Sequence, residues 1–126
     1  MKRSPTKDKT KPFDISIWRR ANISKRRSIE QNRLNTMDEI WKAIQHLTQR
    51  YQWDEIYLFG SITKPERFSQ RSDIDIGIKG LNKYQHYRFI SDLSGLLERE
   101  IDVVRLEDCP FAEAIVKRGV QWKKHE

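Results

Sequence analysis

The stretch IYLFGSITKPERFSQRSDIDIGI, residues 56–78, contains two apolar segments that each border a short polar motif. The first segment, residues 56–59, predicts a β-strand that ends abruptly at Gly60-Ser61. In the second segment, residues 73–78, isoleucine alternates strictly with Asp73, Asp75 and a glycine. This is the period of a strand with one buried face. The polar residues between the two segments predict a connection between two strands.

The segments on either side predict further helices and a third strand. Thr36 to Glu39 matches a capping box, and apolar residues follow at helical spacing, so we expect a helix to begin near Thr36. A second helix is expected to bury a face formed by Tyr84, Tyr87, Ile90, Leu93 and Leu97. A strand over residues 101–106 and a short helix over 108–118, stopped by Gly119, follow. The order α-β-β-α-β-α indicates an α/β (α+β) fold, a small mixed sheet with flanking helices.

Length and charge indicate one folded domain with a basic N-terminal arm. A chain of 126 residues has room for a single modest core. Residues 1–36 hold 11 Lys and Arg against 3 Asp and Glu, a net charge of +8, whereas residues 37–126 hold 14 against 15, a net charge of −1, so the basic excess lies at the N-terminus. We divide the chain into a basic, flexible arm over residues 1–27 and a folded domain over residues 28–126. Such an arm predicts at most weak, electrostatic contact with nucleic acid.

Neither a membrane span nor an internal disulfide is expected. The apolar runs are only a few residues long, which is too short to cross a bilayer. The N-terminal lysines are not followed by the apolar segment of a secretory signal. A single cysteine, Cys109, fits a reducing compartment. We therefore expect a cytoplasmic protein.

Asp73 and Asp75 are the most informative pair of residues. Two positions apart on a strand, they share one face, and such close like charges repel unless a cation lies between them. The alternative is a solvated edge strand that happens to carry two acids. The isoleucines of the opposite face fix the strand in a core, which favours a site for a hard cation. An all-oxygen set of ligands suits Mg²⁺, or Mn²⁺.

Asp102 and Gly60-Ser61 extend this site. Asp102 lies within the apolar third strand, where by itself it is equally well explained as an edge residue that faces water. A glycine at the end of a strand lets the backbone approach a phosphate closely, and the serine adds hydrogen-bond donors. Three acids on neighbouring strands beside such a turn predict a two-metal phosphoryl-transfer site, with Asp73, Asp75 and Asp102 as metal ligands and catalytic residues.

These motifs resemble the signature of the polymerase-β-like nucleotidyltransferase superfamily, roughly FGSxAxG…SDxDL followed by a third aspartate on an apolar strand. The chain supplies Phe59-Gly60-Ser61, Ser72-Asp73-Ile74-Asp75-Ile76 and Ile101-Asp102-Val103-Val104. Length and element order are similar to the minimal nucleotidyltransferase (MNT) branch over residues 37–124. The resemblance implies Mg²⁺ on the three aspartates and a nucleoside triphosphate, ATP, as substrate. It also implies nucleotide contacts by Gly60, Ser61, Lys64 and Ser72.

The sequence departs from the family signature just after the serine. Thr63 and Pro65 stand where the family usually has a small residue and a glycine, and Lys64 stands where arginine is common. Because Pro65 lacks an N–H and restricts the residue before it, any helix that follows Ser61 should be short or bent. Lys64 would meet a triphosphate as a point charge.

Stand-alone domains of this kind resemble the antitoxins of HEPN–MNT toxin–antitoxin pairs. The resemblance implies transfer of AMP from ATP to a tyrosine hydroxyl of a HEPN-type ribonuclease toxin, the partner in a hetero-oligomer. The alternatives are a non-catalytic module that neutralises a partner by contact, a transferase that acts on a nucleic-acid or small-molecule hydroxyl, and a nucleic-acid-directed protein that works through its arm. The intact aspartates disfavour the first of these, and the near-neutral charge of residues 37–126 disfavours the last.

Overall fold

The computed structural model describes residues 15–123, in which three α-helices pack on a four-stranded sheet. The helices are α1 (Ile15–Leu47), α2 (His86–Leu97) and α3 (Ala112–Arg118). The strands are β1 (Glu55–Phe59), β2 (Ile74–Lys79), β3 (Ile101–Arg105) and β4 (Val120–Gln121). Short 3₁₀ turns lie at Gly60–Thr63, Lys83–Gln85 and Leu106–Asp108. This architecture confirms the predicted α+β class and the order of its main elements.

The strands are arranged in the order β3-β2-β1-β4. β2 and β3 run parallel, while β1 pairs antiparallel with both β2 and β4. A parallel pair requires a crossover connection, and α2 supplies it. The sequence did not predict β4, which pairs with Tyr57 and Leu58 of β1. A strand of two residues is too short to leave a periodic pattern.

The main core lies between one face of the sheet and the helices α1 and α2. The alternating isoleucines of β2 are fully buried there, as predicted, and α1 contributes Ile40, Ile44 and Leu47. From α2, the buried residues are Phe89 and Leu93, one helical turn apart. The prediction that Tyr84 and Tyr87 are buried is wrong, since both are 84% exposed. Tyr84 precedes α2, in the 3₁₀ turn Lys83–Gln85, and Tyr87 lies on the side of α2 opposite Phe89 and Leu93.

The opposite face of the sheet is covered in part by α3. Tyr57, Leu106 and Ile115 form a small second cluster on this face. Gly77 permits the close approach, because a Cβ there would lie 3.0 Å from Leu106 Cδ2 and 3.1 Å from Ile115 Cγ2. The last helix is shorter than predicted, and its end at Gly119 is as expected. Within residues 15–123, no helix combines the length and the apolar character needed to span a membrane.

The prediction that a helix begins near Thr36 is wrong, because helix α1 begins at Ile15. The sequence from residue 13 to residue 59 contains neither Gly nor Pro, so nothing interrupts the helical backbone. The Thr36 hydroxyl donates to the carbonyl of Asn32 at 2.8 Å, one turn back, and caps nothing. Residues 15–27 of the predicted flexible arm are therefore helical, and residues 1–14 lie outside the described range. The division between residues 27 and 28 stays a prediction.

Candidate active site

The register of the sheet brings the predicted acids together. Asp75 of β2 pairs with Phe59, the last residue of β1, on one side and with Asp102 of β3 on the other. Residues paired in this way point to the same face of the sheet. Asp73 directly precedes β2 and, two positions before Asp75, continues that face. We call Asp73, Asp75 and Asp102 the acidic site.

Gly60 places the backbone of the turn against the acidic site. Its φ of +80° is a left-handed conformation that glycine adopts without strain. A Cβ built on Gly60 would lie 2.4 Å from Oδ2 of Asp75, which is closer than any side chain tolerates. The conformation of the turn therefore favours glycine at this position, and any larger residue would have to displace the carboxylate of Asp75.

The electrostatics of the acidic site centre on Asp75. Burial raises the pKa of this half-buried carboxyl, and the charges of Asp102 and then Asp73 raise it further. Asp73 and Asp102 are themselves exposed. None of the three acids forms an ion pair with a basic side chain in the part of the chain that the structure describes. No basic side chain among residues 15–123 therefore neutralises these carboxylates through a direct ion pair.

Carboxylate oxygens without an ion-pair partner form a donor set that suits a hard divalent cation. Across residues 15–123, however, no three acidic, histidine or cysteine side chains are arranged so that they could hold a metal ion as they stand. The acids are close enough to influence the pKa of Asp75, and a cation would have to draw them together. Metal ligation by Asp73, Asp75 and Asp102 stays a prediction that this donor set supports.

The turn after β1 is a single 3₁₀ turn, Gly60–Thr63, as short as Pro65 led us to expect. The Thr63 hydroxyl donates to the Gly60 carbonyl at 2.7 Å, and the Lys64 amide donates to the Ser61 carbonyl at 3.0 Å. The Ser61 hydroxyl is half-buried and has no hydrogen-bond partner among residues 15–123. It is thus available to a ligand beside the acidic site.

The other two predicted nucleotide contacts are placed less directly. Lys64 is exposed at the end of the turn. The Ser72 hydroxyl accepts a hydrogen bond from the Ser69 amide at 3.0 Å and lies 3.3 Å from the Ser69 hydroxyl. Ser72 therefore closes its own loop just before Asp73. Nucleotide binding by Lys64 and Ser72 stays a prediction.

Two arginines that sequence reasoning did not single out hold the loops of the site. Nη2 of Arg99 donates to the carbonyls of Ser69, Gln70 and Ser72 at 3.2, 3.0 and 2.9 Å. The Arg99 guanidinium also lies over the Phe68 ring, 4.8 Å from its centroid. Arg33 donates to the carbonyl of Ile62, within the 3₁₀ turn, at 2.8 Å. In a chain with 25 Lys and Arg, no local pattern distinguishes these two.

An acidic site on paired strands of a small α+β domain, with a glycine turn beside it, defines the nucleotidyltransferase class of phosphoryl-transfer domains. The chain belongs to the polymerase beta nucleotidyltransferase family, whose model matches residues 42–124. The resemblance to the polymerase-β-like nucleotidyltransferase superfamily is thereby confirmed. No sequence among the curated proteins matches the chain.

Solved structures of one toxin–antitoxin are similar to the chain. A crystal structure of the toxin–antitoxin MntA–HepT contains a chain that is 24% identical with a TM-score of 0.50, over 71% of this chain and 73% of that chain. A crystal structure of the toxin–antitoxin with AMP-PNP gives 24% identity and a TM-score of 0.51 over the same shares. A mutant of the toxin–antitoxin is 27% identical with a TM-score of 0.51, over 68% and 72%. These likenesses agree with the fold.

Proposed function

We propose that the protein transfers AMP from ATP to a tyrosine hydroxyl of a HEPN-type toxin, with Mg²⁺ as cofactor, and is the antitoxin of that partner. The observation that carries the proposal is the alignment of Phe59, Asp75 and Asp102 across three strands, with the Gly60 backbone against Asp75. Family membership supports nucleotidyl transfer. Similarity to chains of a toxin–antitoxin, one of them crystallised with AMP-PNP, supports the partner and the nucleotide.

The residues of the site have different roles in the proposed reaction. Asp73, Asp75 and Asp102 would hold Mg²⁺, which when bound neutralises charge on the reacting phosphates. The turn at Gly60-Ser61 offers backbone amides and a free hydroxyl to the departing phosphates. The tyrosine oxygen attacks the α-phosphorus, the bond from that phosphorus to the bridging oxygen breaks, and pyrophosphate leaves.

The acceptor must lose a proton in this reaction. A tyrosine hydroxyl has a pKa of about 10 and is a poor nucleophile at neutral pH. Asp102 is exposed on the same face as Asp75, where it can take up that proton or hold a second cation. Either role makes the hydroxyl a better nucleophile.

The accessibility of the site favours an acceptor that belongs to another macromolecule. Asp73 and Asp102 are both exposed, so a side chain of a partner can reach them. A groove of about 780 Å³ follows α3, and its lining residues include Lys79, Glu113 and Lys117 but none of the three aspartates. A small acceptor bound in that groove would therefore not contact the acidic site.

Intact-mass spectrometry tests the proposal. The protein is incubated with ATP, Mg²⁺ and the toxin encoded beside it, and the toxin should gain one or more AMP masses and lose its activity. The double variant Asp73→Ala/Asp75→Ala should add no mass. If wild type adds none and the double variant neutralises the toxin equally well, the protein acts by contact alone. The non-catalytic module would then replace the enzyme.

A further inference from the structure

Arg33 of α1 is unusual because it is buried. Its exposed fraction is 8%, and no other charged side chain among residues 15–123 is classed with the buried residues. A buried guanidinium is costly unless its N–H groups are paired. The hydrogen-bond partners of Arg33 therefore indicate its structural role.

The guanidinium divides its donors between its own helix and the candidate active site. Nε and Nη2 donate to the two carboxylate oxygens of Glu30, at 3.0 and 2.6 Å, one turn earlier in α1. This bidentate pair fixes the plane of the guanidinium. Nη1 is thereby aimed at the carbonyl of Ile62, to which it donates at 2.8 Å across 29 residues of sequence.

Ile62 is the third residue of the 3₁₀ turn Gly60–Thr63, and its side chain is fully buried in the main core. The same turn carries Ser61 and lies against Asp75 through Gly60. Arg33 lies outside residues 42–124, the range that the family model matches. The contact is thus made from outside the shared domain onto its glycine turn.

We propose that Arg33 is a positioning residue that holds the Gly60–Thr63 turn in the conformation that binds the phosphates of ATP. The inference rests on the proposed function, which assigns those phosphates to the turn. Removal of the guanidinium leaves the Ile62 carbonyl buried without its donor, which favours other conformations of the turn. When only a fraction of molecules is competent to bind, the apparent Kd rises by the inverse of that fraction.

The experiment compares three variants of the full chain. Arg33→Met removes the donors and keeps an unbranched, flexible side chain, and Arg33→Lys restores one donor for Ile62. Arg50→Met is the matched control, because Arg50 pairs with Asp92 at 3.3 Å beyond the end of α1 and does not contact the turn. Calorimetry measures the Kd of ATP with Mg²⁺, hydrogen exchange reports on amides 60–64, and melting temperatures record stability.

Arg33→Met should weaken ATP binding tenfold or more and speed exchange at residues 60–64. Arg33→Lys should recover most of both effects, and Arg50→Met should change neither. Unchanged exchange in Arg33→Met, equal effects in Arg50→Met or a failure of lysine to rescue would each overturn the assignment. If wild type does not bind ATP at all, the proposed function fails. The exchange data alone then decide whether Arg33 holds the turn.

Discussion

The first half of helix α1 and the acidic site carry opposite charges in different settings. Residues 15–29, which we call the basic half-helix, contain five Lys and Arg and no acid, and all are exposed except the half-buried Asn22. In the acidic site, Asp75 is aligned with Asp102 by the sheet and is packed on Gly60. Chemistry requires fixed positions, whereas long-range attraction requires only charge. Substitutions in the two regions should therefore have different kinds of effect.

The largest effect should come from Asp102→Asn. This change keeps the size of the side chain and removes its capacity to accept a proton or ligate a cation as an anion. Transfer of AMP should fall by a factor of ~10² or more, while ATP and the partner still bind. Asp38→Asn, which removes an exposed acid of α1 that pairs with Lys42, should leave transfer unchanged. Equal rates for Asp102→Asn and wild type would remove Asp102 from the reaction.

Gly60→Ala should be next in size. The added Cβ would lie 2.4 Å from the Asp75 carboxylate on a backbone with φ of +80°, so we expect a loss of roughly 1–3 kcal/mol in the free energy of unfolding. Weaker ATP binding should accompany it. Gly95→Ala in α2 is the control, because its Cβ would meet nothing within 4 Å. That variant should gain about 0.5–1 kcal/mol. Chemical denaturation measures both, and a neutral Gly60→Ala would contradict the packing described here.

A smaller effect concerns the pH dependence of stability in the absence of ligand. Because burial and the neighbouring acids raise the pKa of Asp75 in the folded state, its contribution to stability is present at low pH and is lost as pH rises through that raised pKa. At neutral pH, Asp75→Asn should therefore melt at a higher temperature than wild type. The difference should vanish in acid, and a lower melting temperature at neutral pH would show that other contacts of Asp75 outweigh the repulsion.

Deletion of residues 1–27 should have the smallest effect on transfer. The cut leaves Arg33, Ile40 and the rest of the buried half of α1 in place. We expect transfer to stay within about twofold of wild type, since an exposed terminus carries few stabilising contacts. Any binding of nucleic acid by the full chain should be micromolar or weaker, should weaken steeply with salt, and should be lost on deletion. Loss of transfer would show that the boundary at residue 28 is misplaced.

The acidic site could be located from sequence because its residues lie on strands with a clear alternation. Ile74, Ile76 and Ile78 predict both the strand and its buried face. Pro65 predicts that the helical turn after Ser61 is short. The start of α1 could not be located in this way, because Thr36 to Glu39 fits a helix interior as well as a cap. A capping motif is compatible with a helix start, but a helix begins there only if the residues before the motif interrupt the helical backbone.

Contacts distant in sequence were the other features that local reasoning could not predict. Arg33 reaches Ile62 across 29 residues, and Arg99 reaches the carbonyls of the loop before Asp73 across 27 to 30. These hydrogen bonds are accepted by backbone carbonyls, which every residue has, so the residue type at the acceptor position does not reveal them. They become visible only when the fold has brought the elements together.

In the proposed function, the acidic site binds a nucleoside triphosphate together with a divalent cation. The most direct measurement is the melting temperature of wild type and Asp75→Asn, each alone and with ATP and Mg²⁺. A ligand that binds only the folded state at 100 times its Kd adds about 2.7 kcal/mol of stability. Wild type should therefore melt several degrees higher with ATP and Mg²⁺, and Asp75→Asn should show no shift. An equal shift in both proteins would contradict the assignment of Asp75 and, with it, the site.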